Sequence, residues 1–180
     1  LGGKEKPLDA DVTAMAIQAL APYYNDASVK KAIDKALDEL SKIQNEEGAF
    51  GSVDGASSES CAQVIVALTS LGINPETDMR FVKNGNSVVD ALCSFYVEDG
   101  GFKHVASGEL NGMASEQGYY AMGAYMRLLN NQASLYDMND VVLNGMIVSP
   151  NEPDTPDTPN TETSDADKKA AKQVEDIIDA

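Results

Sequence analysis

Two kinds of helical segment alternate along the chain, and they differ in how their apolar residues are distributed. Residues 28–44 place apolar side chains at helical spacing on one face and lysines and acids on the other, which predicts an outer helix with one side in water. Residues 87–97 have the same pattern, with Ser87 and Asp90 at the spacing of a capping box and with Phe95 and Tyr96 expected to face inward. The pattern therefore predicts two outer helices.

Two other segments, residues 58–72 and residues 115–129, are apolar nearly all round, as helices that are covered on two sides must be. Residues 11–21, whose pattern Pro22 ends or kinks, join them as a third inner segment. Small residues recur in all three, alanine in each and glycine as well in residues 115–129, and they allow helices to pack closely. We interpret these segments as inner helices, which gives the order inner, outer, inner, outer, inner.

The inner helices are copies of one repeated unit. Residues 11–20 align with residues 59–68, and residues 116–125 form a third copy that keeps the acid at the first position. A second repeated element, a loop that contains glycine and an aromatic residue, occurs at residues 46–51 and 98–103. The repeated unit is therefore helix, helix, glycine-aromatic loop.

The segment Gln44-Asn-Glu-Glu-Gly-Ala-Phe50 resembles the repeat motif of the terpenoid cyclase and protein prenyltransferase superfamily. The segments DVTAMAIQALAPYY, SESCAQVIVALTSLGI and DGGFKH are, more closely, similar to toroid modules of large surface proteins of gut Firmicutes. The resemblance implies an all-α fold, a partial α/α-toroid of five to six alternating inner and outer helices over residues 1–148. Stacked repeats expose apolar surface at an open end, so we expect an upstream half of the toroid, a self-associated copy, the C-terminal segment 168–180 or another partner to cover it.

The composition changes at about residue 149. Residues 149–167 contain four prolines, many hydroxyls and acids and no large apolar residue, which predicts an extended linker. Residues 168–180 carry Ala170, Val174 and Ile177 on one stripe and predict the first helix of a following module. Linkers rich in threonine, proline and acids are typical of modular proteins attached to the wall of Gram-positive bacteria, so we expect a secreted or wall-attached protein.

The overall charge argues against two classes of partner. The 13 Lys and Arg residues stand against 29 Asp and Glu residues, and the formal net charge of -16 repels phosphate backbones and anionic lipid heads. The sequence also has no apolar run long enough to span a membrane. We therefore expect neither nucleic-acid binding nor membrane insertion. Cys61 and Cys93 form no spaced framework and lie in apolar helical patterns, so both are interpreted as buried thiols.

The start of the first inner helix resembles the acid motif of squalene-hopene-type cyclases. Asp9 and Asp11 match that D-x-D-D-T-A motif, but Val12 replaces its last aspartate, and the chain has no Trp to help line a site for a carbocation. The alternative is that Asp11 caps the helix, since Glu59 and Glu116 stand at equivalent starts of the other inner helices. We favour the capping role for Asp11.

A second partial motif resembles the zinc site of protein prenyltransferases. Glu59 and Cys61 match its aspartate and cysteine ligands, but residues 115–118 supply no histidine as the third ligand. His104 is the only histidine and lies in the loop after Phe102. We therefore predict no zinc and no other cofactor, with Cys61 in the core and His104 hydrogen-bonded locally.

Tyr119, Tyr120 and Tyr125, together with His104, are candidate ligand-binding residues at the mouth of the inner helices. The alternative is that the tyrosines belong to the core, because they lie at helical spacing. The sequence predicts a non-catalytic extracellular module that binds an unidentified protein or small molecule. A corrinoid-like small-ligand module is one alternative, and an enzyme with degenerate cyclase or prenyltransferase motifs is another.

Overall fold

Five α-helices and two 3-10 turns form just over half of the part of the chain that the computed structural model describes, which is residues 8–52, 55–98, 100–143 and 146–147. The helices are α1 (Ala10–Leu20), α2 (Ala27–Ile43), α3 (Ser58–Ser70), α4 (Val88–Cys93) and α5 (Gly112–Leu129). Two 3-10 turns occur, at Ala21–Tyr23, which includes Pro22, and at Met79–Phe81. The strands pair two by two as antiparallel hairpins: β1 (Gly51–Ser52) with β2 (Gly55–Ala56), β3 (Val82–Lys83) with β4 (Asn86–Ser87), β5 (Tyr96–Val97) with β6 (Gly101–Phe102), and β7 (Val142–Leu143) with β8 (Met146–Ile147). The fold is therefore mostly helical, as predicted, with short hairpins that the prediction did not include.

The helices pack in two layers. In the layer that we call the inner layer, α3 lies between α1 and α5. In the outer layer, α2 packs on α1 and α4 packs on α3. The described residues thus alternate between inner and outer helices along the chain.

The burial of α2 and α3 follows directly from their sequences. α2 buries one apolar face and leaves Lys30 and Asp34 in water, where they form an exposed ion pair at 2.6 Å. Its first turn is capped by Asp26, which accepts hydrogen bonds from the backbone of Ser28 and Val29. α3 is buried on nearly all sides, because α1, α4 and α5 all pack against it.

α4 is shorter than predicted. Its capping box of Ser87 and Asp90 is present, but the helix ends at Cys93 because the chain turns into the β5–β6 hairpin. Phe95 is buried as predicted, whereas Tyr96 is 47% exposed and packs edge-on against Phe102. Cys93 is exposed, so the prediction of a buried thiol is wrong at that position.

Among the described elements, α5 is covered on one side only, by α3 and the β6 strand. It begins at Gly112, with Asn111 as its N-cap, so Glu116 lies one turn inside the helix and not at its start. Among the described elements α3 covers one face of α5, and side chains such as Tyr119 and Met126 are exposed on another. The prediction that this helix is covered on two sides does not hold for the described residues.

The glycine-aromatic loops are part of the core. Phe50 is 1% exposed and lies with its ring centroid 6.5 Å from that of Phe81. Phe102 is also buried, and it lies directly against Gly118 of α5. Each loop therefore places an aromatic ring beneath the inner helix that follows it.

The predicted linker at residues 149–167 and the predicted helix at residues 168–180 lie outside the described residues. Within the described part of the chain, no helix combines the length and the apolar character needed to cross a bilayer.

Candidate functional site

The predicted acidic residues of the first two inner helices meet where α1 and α3 begin. Asp9 is the N-cap of α1, and its side chain accepts a hydrogen bond of 3.0 Å from the backbone N–H of Val12. The expectation that Asp11 caps this helix is therefore wrong. Asp9 takes that role because it has the extended backbone of an N-cap, whereas Asp11 already lies in the first helical turn.

Asp11 instead faces the start of α3. The Ser60 hydroxyl stabilises the charged form of its carboxylate, and that hydroxyl accepts a hydrogen bond of 2.9 Å from Ser57. The carboxylate oxygen Oδ1 is buried without a hydrogen-bond partner. Burial raises the pKa of Asp11, and repulsion from Asp9 and Glu59 adds to the rise, while the Ser60 hydrogen bond opposes it.

Glu59 and His104 form a second pair at the same end of α3. The Nδ1 atom of His104 lies 2.8 Å from a carboxylate oxygen of Glu59, whose side chain is only 12% exposed. The backbone carbonyl of His104 also accepts a hydrogen bond of 3.0 Å from the N–H of Ser58. These two contacts attach the loop after Phe102 to the start of α3, so the His104 ring contacts a residue 45 positions away in the sequence and not a neighbour in its own loop.

Cys61 does not present a thiolate. Its sulfur is fully buried, 3.4 Å from the backbone nitrogen of Phe50, which donates to it. Burial raises the pKa of the Cys61 thiol to about 12, so the thiol is protonated at neutral pH and is a poor zinc ligand and nucleophile. In the described residues, no group of three or more His, Cys, Asp and Glu side chains is arranged to hold a metal ion.

The three candidate tyrosines are not brought together at one ligand site. Tyr119 is 54% exposed and packs edge-on against Phe102, with ring centroids 5.6 Å apart. Tyr125 is buried and donates to Glu76, and its pKa is raised to about 12 mainly by desolvation. Tyr120 faces a different group of side chains.

Tyr120 belongs to a row of polar side chains that crosses the inner layer. The Gln63 amide of α3 donates to Gln117 at 3.1 Å and to the hydroxyl of Tyr120, both on α5. On the other side, the Gln18 amide of α1 donates to the backbone oxygen and the side-chain oxygen of Gln63, both at 3.0 Å. This row was not predicted from the sequence, although its signal was present: a glutamine interrupts each of the three inner segments.

The buried carboxylate of Asp11 makes stability depend on pH in a defined direction. Its pKa is raised on folding, so the native state holds this proton more tightly than the unfolded chain does. The stability that the proton contributes is present below the ordinary value of 3.8 and is lost as the pH rises through the native pKa. We therefore expect Asp11→Asn to be more stable than the wild type at neutral pH, with a difference that shrinks as the pH falls through the native pKa and is lost below 3.8.

Urea unfolding across this pH range measures the difference. Asp38→Asn is the matched control, because it removes an exposed acid of α2 that does not contribute to the raised pKa of Asp11. If Asp11→Asn is less stable than the wild type at neutral pH, the Ser60 hydrogen bond to the charged carboxylate outweighs the desolvation of Asp11.

Comparison of the chain with protein-family models, with curated proteins and with solved structures gave no match.

Proposed function

We propose that this chain is a non-catalytic interaction module: a section of an α/α-toroid array, in a secreted or wall-attached bacterial protein, that binds a further helical repeat through the edges of its inner layer. The observation that carries the proposal is the apolar stripe exposed at each edge of that layer. In solution the occupant of each edge is a second copy of the chain, which brings the complementary edge.

The α1 stripe consists of Val12, Met15, Ala19 and Tyr23, all of which are exposed. Their spacing places the helical members on one side of α1, opposite the buried side that holds Ala14 and Ile17. The stripe contains no charged residue. Exposed, uncharged side chains that share one side of a helix are typical of a surface on which another helix packs.

The α5 stripe lies at the opposite edge of the inner layer and consists of Met113, Tyr119, Gly123 and Met126, with the exposed Glu116 one turn after Met113 on the same side. Met126 is 52% exposed, and a side chain built at Gly123 would meet no other atom within 4 Å. Gly123 thus forms a notch between two large apolar side chains. Such a notch allows another helix to approach closely.

Within the molecule, α3 is an example of an inner helix whose apolar sides are covered by neighbouring inner helices. It packs between α1 and α5, and small buried residues such as Ala62 and Ala67 line its surface. If the α5 stripe of one copy packs on the α1 stripe of the next, the inner layer continues across the contact. Such a contact is heterologous, so it leaves one stripe free at each end of the pair.

The environment of the partial catalytic motifs supports a non-catalytic role. The Cys61 thiol is buried and protonated, and the Asp9 carboxylate is engaged in capping α1. The secreted or wall-attached location rests on the composition of residues 149–167 and on the resemblance to surface-protein modules.

Two single variants test the proposal. Met15→Glu places a charge in the α1 stripe, and Met126→Glu places one in the α5 stripe. We expect sedimentation velocity to show self-association of the wild type that rises with protein concentration and with added salt, because salt screens the repulsion between copies of net charge -16. Each variant alone should be monomeric, because burial of an unpaired charge at the contact opposes association.

Mixing the two variants provides the decisive measurement. Each retains the stripe that the other lacks, so the mixture should form a heterodimer and no larger species. Met79→Glu is the matched control: Met79 is 78% exposed but lies in the 3-10 turn between α3 and α4, so this variant should associate like the wild type. A wild type that stays monomeric at every concentration and salt level, or a Met79→Glu variant that loses association as well, would contradict the proposal.

A further inference from the structure

A cleft of about 490 Å³ opens where α1 and α3 end, at the opposite end of these helices from Asp11 and Glu59. The lining of the cleft includes Gln18 and Pro22 from the end of α1 and the turn after it. Ser70 at the end of α3, and Tyr136 and Asp137 in the turn after α5, complete the lining. None of the described residues that line the cleft is basic. None of them belongs to the α1 stripe or the α5 stripe.

Two of the lining side chains donate all of their polar hydrogens to acceptors within the protein. Both amide hydrogens of Gln18 are engaged, since its Nε2 donates to the backbone oxygen and to the side-chain oxygen of Gln63. This arrangement leaves Oε1 of Gln18 to accept. The hydroxyl of Ser70 donates its single hydrogen to the carbonyl of Ala67 at 2.7 Å, so its oxygen is also left to accept.

The third acceptor in the cleft is charged. Asp137 is exposed, and its Oδ2 atom accepts a hydrogen bond of 3.2 Å from Asn139, which leaves Oδ1 for another donor. The lining therefore presents three oxygen acceptors from three separate segments of the chain.

The helices that end at the cleft add negative potential. α1 and α3 have no basic residue in the last turn, whereas α2 has Lys42 and α5 has Arg127 there. The carbonyl ends of helices carry partial negative charge, and no cation of the last turn compensates it in α1 or α3. The net charge of -16 further favours the approach of cations.

From these acceptors and this potential we propose that the cleft binds a primary alkylammonium group. Such a group has one positive charge and three N–H donors, which match the oxygens of Gln18, Ser70 and Asp137. Its alkyl chain would lie against Pro22 and the ring of Tyr136, which also attracts cations through its π face. The inference is independent of the proposed association through the two stripes.

Amide chemical shifts in NMR titrations test the site on the full chain. The probe is n-butylammonium. n-Butanol serves as a ligand of similar shape without charge, and tetramethylammonium serves as a cation without N–H donors. We expect saturable shifts at Ser70 and Tyr136 with n-butylammonium and much weaker binding of the other two compounds. Nα-acetyl-lysine amide distinguishes the source of the group: tighter binding than n-butylammonium indicates a lysine side chain of a polypeptide, and weaker binding indicates a free small amine.

Variants of the lining residues identify the contacts. Asp137→Asn should weaken n-butylammonium binding about fivefold, which is the effect of one exposed ion pair. Ser70→Ala should weaken it as well, whereas Asp38→Asn, which removes an exposed acid from α2, should not. The proposal is overturned if no amine saturates the shifts, if tetramethylammonium binds as well as n-butylammonium, or if Asp137→Asn leaves the affinity unchanged.

Discussion

Phe50→Ala is expected to lower the free energy of unfolding by about 3–5 kcal/mol, the range for deleting a buried aromatic ring. The Phe50 ring is fully buried against Phe81, and its backbone is held to α3 by hydrogen bonds with Cys61 and Ser57. Loss of the ring leaves a cavity that these fixed neighbours cannot fill. Urea unfolding followed by circular dichroism measures the change.

Tyr23→Ala is the control for Phe50→Ala. Tyr23 is an aromatic residue of similar size, but it is exposed at the end of the α1 stripe, so at a concentration where the protein is monomeric its removal should change stability by no more than about 0.5 kcal/mol. Similar effects of the two substitutions would show that the glycine-aromatic loop does not anchor the core.

Gly118→Ala is expected to destabilise the protein by about 1–3 kcal/mol, although alanine is the better helix former. A Cβ atom at Gly118 would lie 2.4 Å from a carbon of the Phe102 ring, far inside contact distance. Phe102 is buried and has Tyr96 and Tyr119 packed on it, so its ring has little room to move. Thermal and urea unfolding of the variant test this expectation.

The same helix provides the control for Gly118→Ala. Gly123 lies in α5 with open space where a Cβ would be, so Gly123→Ala should stabilise the protein by about 0.5–1 kcal/mol. Phe102→Leu replaces the flat ring with a smaller side chain and should reduce the penalty of Gly118→Ala in a double-mutant cycle. A stabilising effect of Gly118→Ala alone would contradict the close packing of Phe102 on α5.

Gly118 and Cys61 occupy the same position of the repeated inner helix. The two residues are both small but differ in chemistry. In α3 the position holds Cys61, whose sulfur accepts a hydrogen bond from the backbone N–H of Phe50. In α5 it holds Gly118, which makes room for the ring of Phe102. A small residue is needed at this position because the aromatic residue of the preceding loop packs there. A cysteine is compatible with that need without being a metal ligand.

Much of the helical architecture is present in the sequence by itself. The amphipathic pattern of residues 28–44 predicts α2 to within one residue at each end, and the uniform apolar pattern of residues 58–72 predicts the burial of α3. The capping box of Ser87 and Asp90 also forms as predicted. These features are local, because they depend on residues within one or two helical turns. Hydrophobic periodicity and capping residues are therefore enough to predict them.

Only the tertiary structure decided which faces are covered and which side chains meet. Periodicity shows that residues share a side of α5, but not that α3 covers one side while Tyr119 and Met126 stay exposed. Glu59 and His104 meet across 45 residues of sequence, and Gln18 and Gln63 are equally far apart. Such contacts are set by the packing of whole helices, because the position of each helix depends on all of its neighbours. The sequence determined the helices, whereas their packing determined the stripes, the polar row and the cleft.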